Sequence, residues 1–151
     1  MNYRPKYETN KDLDNEGSII NLVSKKWNIR FNKLPITYKL DYAMYRNNTL
    51  MGFCEVKRRK YRKSEFDTYM ISLDKVLQAD HLSKLTKTKS ILVVSWLDAM
   101  GWINLNSSFV CREGGRKDRN DWQDVEPLCH FKINKFKEIK MSDQYSGEIS
   151  V

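Results

Sequence analysis

Histidine and cysteine are scarce in this chain, which has 2 His and 3 Cys in 151 residues. The cysteines show no CxxC spacing, so the sequence indicates neither a zinc module nor a disulfide framework, and we expect reduced thiols. Two histidines, His81 and His130, are too few for a His-rich metal site and disfavour a histidine-based nucleophile relay. Only Cys129 beside His130 leaves metal binding by these residue types open.

Long apolar runs are also lacking. The longest stretches, such as residues 90–97 (SILVVSWL), are far short of the roughly 20 residues that a membrane span requires. The first residues, MNYRPKYE, contain no apolar segment of the signal-peptide type. We therefore expect a protein that does not enter a membrane and that resides in the cytoplasm.

Positive charge is in excess. The chain has 27 Lys and Arg against 19 Asp and Glu, a net charge of +8. Such a balance suggests a polyanionic partner, either a nucleic acid or an acidic membrane surface. Residues 57–63 (KRRKYRK) place six cations in seven positions, a pattern that is otherwise typical of a solvated surface or a localisation signal.

The length fits one domain with a buried core. We expect it over residues 12–140, between an N-terminal arm (residues 1–11) and a flexible C-terminal tail (residues 141–151). Apolar residues at helical spacing predict a first helix that ends near Trp27 and a second helix over residues 66–85.

Strand-like segments fill most of the remaining chain, and a polar loop is expected over residues 112–127. The predicted strands are Leu40–Arg46, Leu50–Lys57, Ile91–Leu97, Gly101–Leu105 and Leu128–Ile133. The run Ile91–Leu97 is apolar throughout, as in a central strand covered on both faces. The order of elements indicates an α/β fold with a mixed central sheet flanked by helices.

The first two strands form a hairpin that carries Glu55 and Lys57 on one face, because side chains alternate along a strand. Asp41 reaches that face only if residue 41 pairs with residue 55. A two-residue Asn47-Asn48 turn would send Asp41 to the other face. We therefore predict a three-residue loop over residues 47–49 or a nearby bulge, with Ala43 opposite Phe53 and Tyr45 opposite Met51.

Both hairpin faces are largely apolar, so Asp41 and Glu55 would be charges in a dry environment that require compensation. A hard divalent cation, Mg²⁺ or Mn²⁺, suits two carboxylates with the Val56 carbonyl and waters. Lys57 could then orient a water and stabilise charge on a phosphoryl oxygen. The alternative is a Glu55–Lys57 ion pair without metal.

Glu16 lies at the end of the apolar stripe of the first helix. It is either a first-turn carboxylate favoured by the helix dipole or a further site residue.

With Asp41 and the Glu55-Val56-Lys57 tripeptide, the sequence resembles the PD-(D/E)xK nuclease superfamily, which has a restriction-endonuclease-like fold. The resemblance implies a three-layer core in which a short first strand lies near residues 31–37. It is greatest for small phage-encoded endonucleases and Holliday-junction-resolvase-like members. In these, a helical Glu corresponds to Glu16 and a lysine of the second helix to Lys75, although solvent exposure would also explain Lys75.

Residues 114–127 also look like a loop found in such phage proteins. Arg116 and Arg119 there could clamp a phosphate, with Asp121 or Asp124 holding the arginines, or the loop could be self-contained salt bridges.

The function expected is a Mg²⁺-dependent DNA endonuclease with Asp41, Glu55, Lys57 and Glu16 in its active site. The metal ligands would be Asp41, Glu55 and the Val56 carbonyl, and Glu16 would bind a second metal or a water. Contacts to the DNA backbone would come from Arg58, Arg59, Lys60, Arg62, Lys63, Lys75, Arg116 and Arg119.

Two alternatives remain. One is a nucleic-acid-binding protein of the same fold without turnover, and the other is a structural or regulatory phage protein with a protein partner. A junction resolvase would be a homodimer, since two symmetric cuts need two sites.

Overall fold

The computed structural model describes residues 10–115 and 125–140. Its two helices are α1 (Asn10–Trp27) and α2 (Leu73–Thr86). Its strands are β1 (Arg30–Lys33), β2 (Tyr42–Arg46), β3 (Thr49–Arg58), β4 (Thr68–Ser72), β5 (Lys89–Ser95), β6 (Met100–Asn104), β7 (Val110–Gly115), β8 (Val125–Lys132) and β9 (Lys137–Glu138). The predicted tail, residues 141–151, and all but the last two residues of the predicted arm lie outside the described residues.

A six-stranded central sheet has the order β1-β2-β3-β5-β6-β9. Strands β3 and β5 are parallel and the other neighbours are antiparallel, so the sheet is mixed, as predicted. In β5, the residues from Ile91 to Val94 are fully buried. This confirms the prediction of a central strand covered on both faces.

Helix α1 covers one face of the central sheet. Its residues Ile19, Val23 and Trp27 pack with Met44 and Cys54 of the sheet. The helix has lysines in its last turn, which suit the negative end of the helix dipole, and it ends at Asn28 with a φ of 53°. The predicted end near Trp27 is confirmed, although the helix begins at Asn10, within the predicted arm.

The opposite face is covered by α2 and by a three-stranded antiparallel sheet of order β4-β8-β7. Val76 and Ala79 of α2 pack with Tyr69 of β4, Phe131 of β8 and Leu92 of the central sheet. The protein thus has the three layers of a restriction-endonuclease-like core.

The second helix is shorter than predicted. Residues 68–72 form β4, because Tyr69 and Ile71 point inward while Met70 between them is exposed, an alternation typical of a strand. Helix α2 begins after Ser72, whose side chain accepts a hydrogen bond from the Lys75 N–H (3.4 Å).

Two further strand predictions are corrected. Strand β1 ends at Lys33, whereas residues 36–38 form a 3₁₀ turn that follows Pro35. The polar loop predicted over residues 112–127 is bordered by strand structure, since Arg112 to Gly115 pair with Leu128 to Val125. What remains of it, residues 116–124, lies outside the described residues.

Candidate active site

A bulge in the β2–β3 hairpin brings Asp41 to the Glu55 side. Asn47 and Asn48 have φ values of 50° and 64°, as a two-residue type I′ turn requires. Next to this turn, Tyr45 pairs with Leu50, but after a register shift Met44 pairs with Gly52, so that Met51 is the extra residue.

Beyond the bulge, the register agrees with the predicted one. Ala43 lies opposite Phe53 and Tyr42 opposite Cys54, and the Asp41 N–H donates to the Cys54 carbonyl (3.2 Å). Of the two predicted solutions, the bulge is confirmed and the three-residue loop is wrong. The predicted pairing of Tyr45 with Met51 is also wrong, because the bulge lies between the turn and Met44.

Gly52 allows this bulge. Its φ is 151°, and a Cβ atom there would lie 2.0 Å from the Lys89 carbonyl oxygen of β5. A side chain at this position would collide with backbone atoms and would occupy a conformation found almost only in glycine.

Glu55 is fully buried in the middle of β3, on the face covered by α2. Its Oε2 atom lies 2.8 Å from Lys75 Nζ and 3.3 Å from Lys57 Nζ. Its Oε1 atom has no hydrogen-bond partner among the described residues. Two ammonium groups therefore contact one oxygen of the carboxylate, whereas the other oxygen is buried without a hydrogen-bond partner among the described residues.

The pKa of Glu55 is raised above its ordinary value. The largest cause is burial, and the second is the charge of Asp41, whereas Lys57 and Lys75 lower the pKa by less. The two lysines thus compensate only part of the unfavourable environment of this carboxylate.

Asp41 is fixed by the backbone of the neighbouring strand. Its Oδ2 accepts a hydrogen bond from the Val56 N–H (2.8 Å), and its Oδ1 lies 3.7 Å from Lys33 Nζ. The geometry places the Asp41 carboxylate beside the Glu55-Val56-Lys57 tripeptide.

Glu16 of α1 lies in the same cavity but in a different environment. Its Oε1 atom accepts hydrogen bonds from Lys33 Nζ and from the Tyr42 hydroxyl, both at 2.9 Å. Burial, together with the bond to Glu16, raises the pKa of Tyr42. Lys33 and Tyr42 are site residues that the sequence analysis did not identify, since neither belongs to the motif.

Glu16, Lys33, Asp41 and Glu55 line a cavity of about 560 Å³, which Val56, Lys57 and Lys75 also line. Among the described residues, three carboxylates contribute to its wall, together with seven cationic side chains, among which are Arg58, Arg59 and Lys60. This excess of positive charge suits an anionic ligand.

The basic run 57–63 divides into two parts. Residues Lys57 to Lys60 line the cavity. In contrast, Arg62 approaches Asp98 (4.0 Å), the Lys63 N–H donates to Asp98 Oδ1 (2.9 Å), and the Lys63 ammonium lies 5.7 Å from the centre of the Trp96 ring. Arg116 and Arg119 lie outside the described residues.

Cys129 and His130, for which the sequence left metal binding open, do not converge on a common site. Cys129 and His130 are adjacent in β8 and therefore point to opposite faces of the small sheet. Burial raises the pKa of Cys129 to about 11, and the His130 ring shares a hydrogen bond with Thr68 Oγ1 (2.9 Å). All three cysteines are free thiols.

A structural and a sequence relationship define the class of this protein. The fold is similar to that of a Holliday junction resolvase, Hjc from the archaeal hyperthermophile Archaeoglobus fulgidus, with a TM-score of 0.57 and 13% sequence identity. The similarity covers 85% of this chain and 92% of the resolvase chain. No curated protein matches the sequence.

A family model places the protein more closely. The model described as "Phage putative PDDEXK endonuclease" matches residues 2–139, nearly the whole chain. The chain therefore belongs to this phage family of the PD-(D/E)xK nuclease superfamily. Within the described part of the chain, no helix is long and apolar enough to cross a membrane.

Proposed function

We propose that this protein is a DNA endonuclease that hydrolyses phosphodiester bonds with a divalent cation, Mg²⁺ or Mn²⁺. The proposal follows from the family and rests above all on one observation: a fully buried carboxylate, Glu55, has an oxygen without a hydrogen-bond partner among the described residues. A buried anion in this condition is unfavourable unless a ligand compensates it.

The donor chemistry suits a hard cation. No group of three or more His, Cys, Asp and Glu side chains that could hold a metal is found among the described residues. Asp41 and Glu55 do supply two carboxylates, and the Val56 carbonyl could supply a third oxygen, leaving further positions to water and substrate. When bound, the cation would neutralise charge on the phosphate and lower the pKa of a bound water.

Lys57 and Lys75 have a separate role in this proposal. Both ammonium groups contact Glu55 Oε2, and the two lysine side chains, each about one-third exposed, line the cavity. They would hold the carboxylate in position, and Lys57 would orient the attacking water and stabilise the charge that develops on a phosphoryl oxygen.

The mouth of the cavity would bind the DNA backbone. Arg58, Arg59 and Lys60 follow the site directly, so a phosphate held there would lead the strand to the carboxylates. Contacts of this type read no bases and weaken with salt. Arg62 and Lys63 would contact the DNA backbone from outside the cavity. Contacts of Arg116 and Arg119 with the DNA backbone are proposed from the sequence alone.

The same reasoning suggests only a class of DNA substrate. Because the fold neighbour is named a Holliday junction resolvase, branched DNA is a candidate substrate, and cutting both strands of a junction would require a homodimer. We place the protein in the cytoplasm, where such a substrate would be reached.

The test is incubation with supercoiled, linear, single-stranded and branched DNA in Mg²⁺, Mn²⁺ or EDTA, beside Glu55→Gln. We expect cleavage by the wild type in either metal, none in EDTA, and a loss of at least about 10³-fold in the variant, which lacks a ligand charge. Binding without cleavage in any metal would favour the non-catalytic alternative. Cleavage that persists in EDTA would contradict the proposed site.

A further inference from the structure

Lys33 places an ammonium group between two carboxylates of the cavity. Its Nζ atom lies 2.9 Å from Glu16 Oε1 and 3.7 Å from Asp41 Oδ1. Asp41 is, together with Glu55, a proposed ligand of the catalytic cation. The lysine therefore lies where a second cation shared by Glu16 and Asp41 would be expected.

An ammonium and a divalent cation cannot both occupy this position. Like charges only a few ångströms apart repel strongly, and the Glu16 Oε1 atom already accepts two hydrogen bonds. Thus Glu16 Oε1 can coordinate a cation shared with Asp41 only when Lys33 withdraws.

The surroundings permit such a withdrawal. Lys33 is the last residue of β1, an edge strand of the central sheet, and its side chain is 48% exposed. Glu16 would keep its position without it, because the Tyr42 hydroxyl still donates to the same oxygen (2.9 Å). Tyr42 therefore holds Glu16 in place even when Lys33, whose Nζ atom also lies 5.0 Å from the centre of the Tyr42 ring, moves away.

We infer that Lys33 competes with a second divalent cation for Glu16 and Asp41, so that the resting protein binds one cation tightly and a second only weakly. This inference rests on the proposed function, because it assumes that Asp41 and Glu55 hold the first cation. It assigns to Lys33 the control of metal stoichiometry in the site.

The experiment is calorimetric titration of the full chain with Mn²⁺ alone, without DNA. We compare the wild type with Lys33→Met, which removes the charge but keeps an apolar stem. We expect the second Mn²⁺ to bind about tenfold more tightly, or more, in Lys33→Met, because a neighbouring positive charge has been lost. Lys33→Arg, which retains the charge, should bind Mn²⁺ like the wild type.

Lys39→Met is the matched control. It changes the net charge by the same amount and also lines the cavity, but Lys39 pairs with Asp74 at 3.0 Å on the surface. It should leave the second Mn²⁺ affinity within about twofold of the wild type, as expected for a screened surface charge. Thermal unfolding of each variant checks that the fold is retained.

The outcomes separate this inference from the proposed function. A first Mn²⁺ that binds normally, with the second unchanged or weaker in Lys33→Met, would overturn the role of Lys33 alone. Equal tightening in Lys33→Met and Lys39→Met would also overturn it, since net charge would then suffice. No Mn²⁺ binding by any variant would overturn both the proposed metal site and this inference.

Discussion

Glu55 and Glu16 lie in one cavity, but their environments differ. Glu55 is fully buried, with one oxygen against two lysines and the other without a hydrogen-bond partner in the described part of the chain. Glu16 is partly exposed, and Lys33 and Tyr42 both donate to one of its oxygens. The Glu55 side is therefore unfavourable without a ligand, whereas the Glu16 side is satisfied by the protein itself. This difference is the reason for our proposal that the chemistry centres on Glu55.

Among the lysine substitutions, the largest expected effect comes from removing a lysine on the Glu55 side. Lys57→Met should lower kcat by about 10²–10³-fold, because a positive charge beside the reacting phosphate is lost. Lys39→Met should change kcat by less than about threefold, since Lys39 contacts Asp74 and not Glu55. Steady-state rates on a cleaved DNA substrate give both values of kcat. Equal losses in the two variants would contradict the role proposed for Lys57.

The bulge in the β2–β3 hairpin supports both the Glu55 side and the Glu16 side of the site, and a substitution of Gly52 tests this. Gly52→Ala should lower the free energy of unfolding by about 2–4 kcal/mol, because its Cβ would collide with the Lys89 carbonyl and its φ is unfavourable. Gly17→Ala is the control: a Cβ there meets nothing within 4 Å, and the helix should gain about 1 kcal/mol. Urea unfolding distinguishes them, and a neutral Gly52→Ala would argue against the bulge.

The two parts of the basic run should differ in DNA binding. The double variant Arg58→Gln/Lys60→Gln should lose about tenfold in affinity and lower the salt slope by about 2, one per phosphate contact. The matched variant Arg62→Gln/Lys63→Gln should lose less, because these residues already contact Asp98 and Trp96. Fluorescence anisotropy over a salt series, in EDTA, measures both. A reversed order would place the DNA path away from the cavity.

The smallest expected effect is a shift in Tm, and the same Glu-to-Gln change should act differently at the two carboxylates. Burial raises the pKa of Glu55, so the folded state holds this proton more tightly than the unfolded state and loses stability as pH rises through that window. In EDTA, Glu55→Gln should therefore raise Tm by about 2–4 °C at pH 8 and by less near pH 4. Glu16→Gln should be neutral or lower Tm, because it weakens the contact with Lys33.

Thermal unfolding at several pH values measures this pair of variants. A lower Tm for Glu55→Gln at pH 8 would show that Lys57 and Lys75 compensate the buried charge completely, and the contrast between the two sides would then fail.

The sequence predicted the fold best where a pattern had a single reading. The apolar run of β5 and the apolar stripe of α1 are each buried in one kind of environment along their whole length. The helix predicted over residues 66–72 was wrong because Phe66, Tyr69 and Met70 also fit a helical spacing. A strand forms there because it pairs with β8, which is distant in sequence, in the small sheet.

For the site, alternation along β3 and the need for Asp41 on the Glu55 face were sufficient to predict the register, but not how the chain achieves it. A type I′ turn followed by a bulge at Met51 places Asp41 on the same face as a three-residue loop would. The bulge is possible because Gly52, without a side chain, can lie against the backbone of β5. Lys33 could not be assigned, since its partners Glu16, in α1, and Asp41, just before β2, are brought together only by the tertiary structure.

The most direct test of the central claim is Mg²⁺-dependent cleavage by Asp41→Asn, because the bulge is what brings this carboxylate to Glu55. We predict a loss of at least about 10²-fold in single-turnover rate with DNA binding in EDTA retained, since one ligand charge is removed. Asp74→Asn, an exposed carboxylate of the first turn of α2, should cleave at nearly the wild-type rate. Undiminished cleavage by Asp41→Asn would contradict the account.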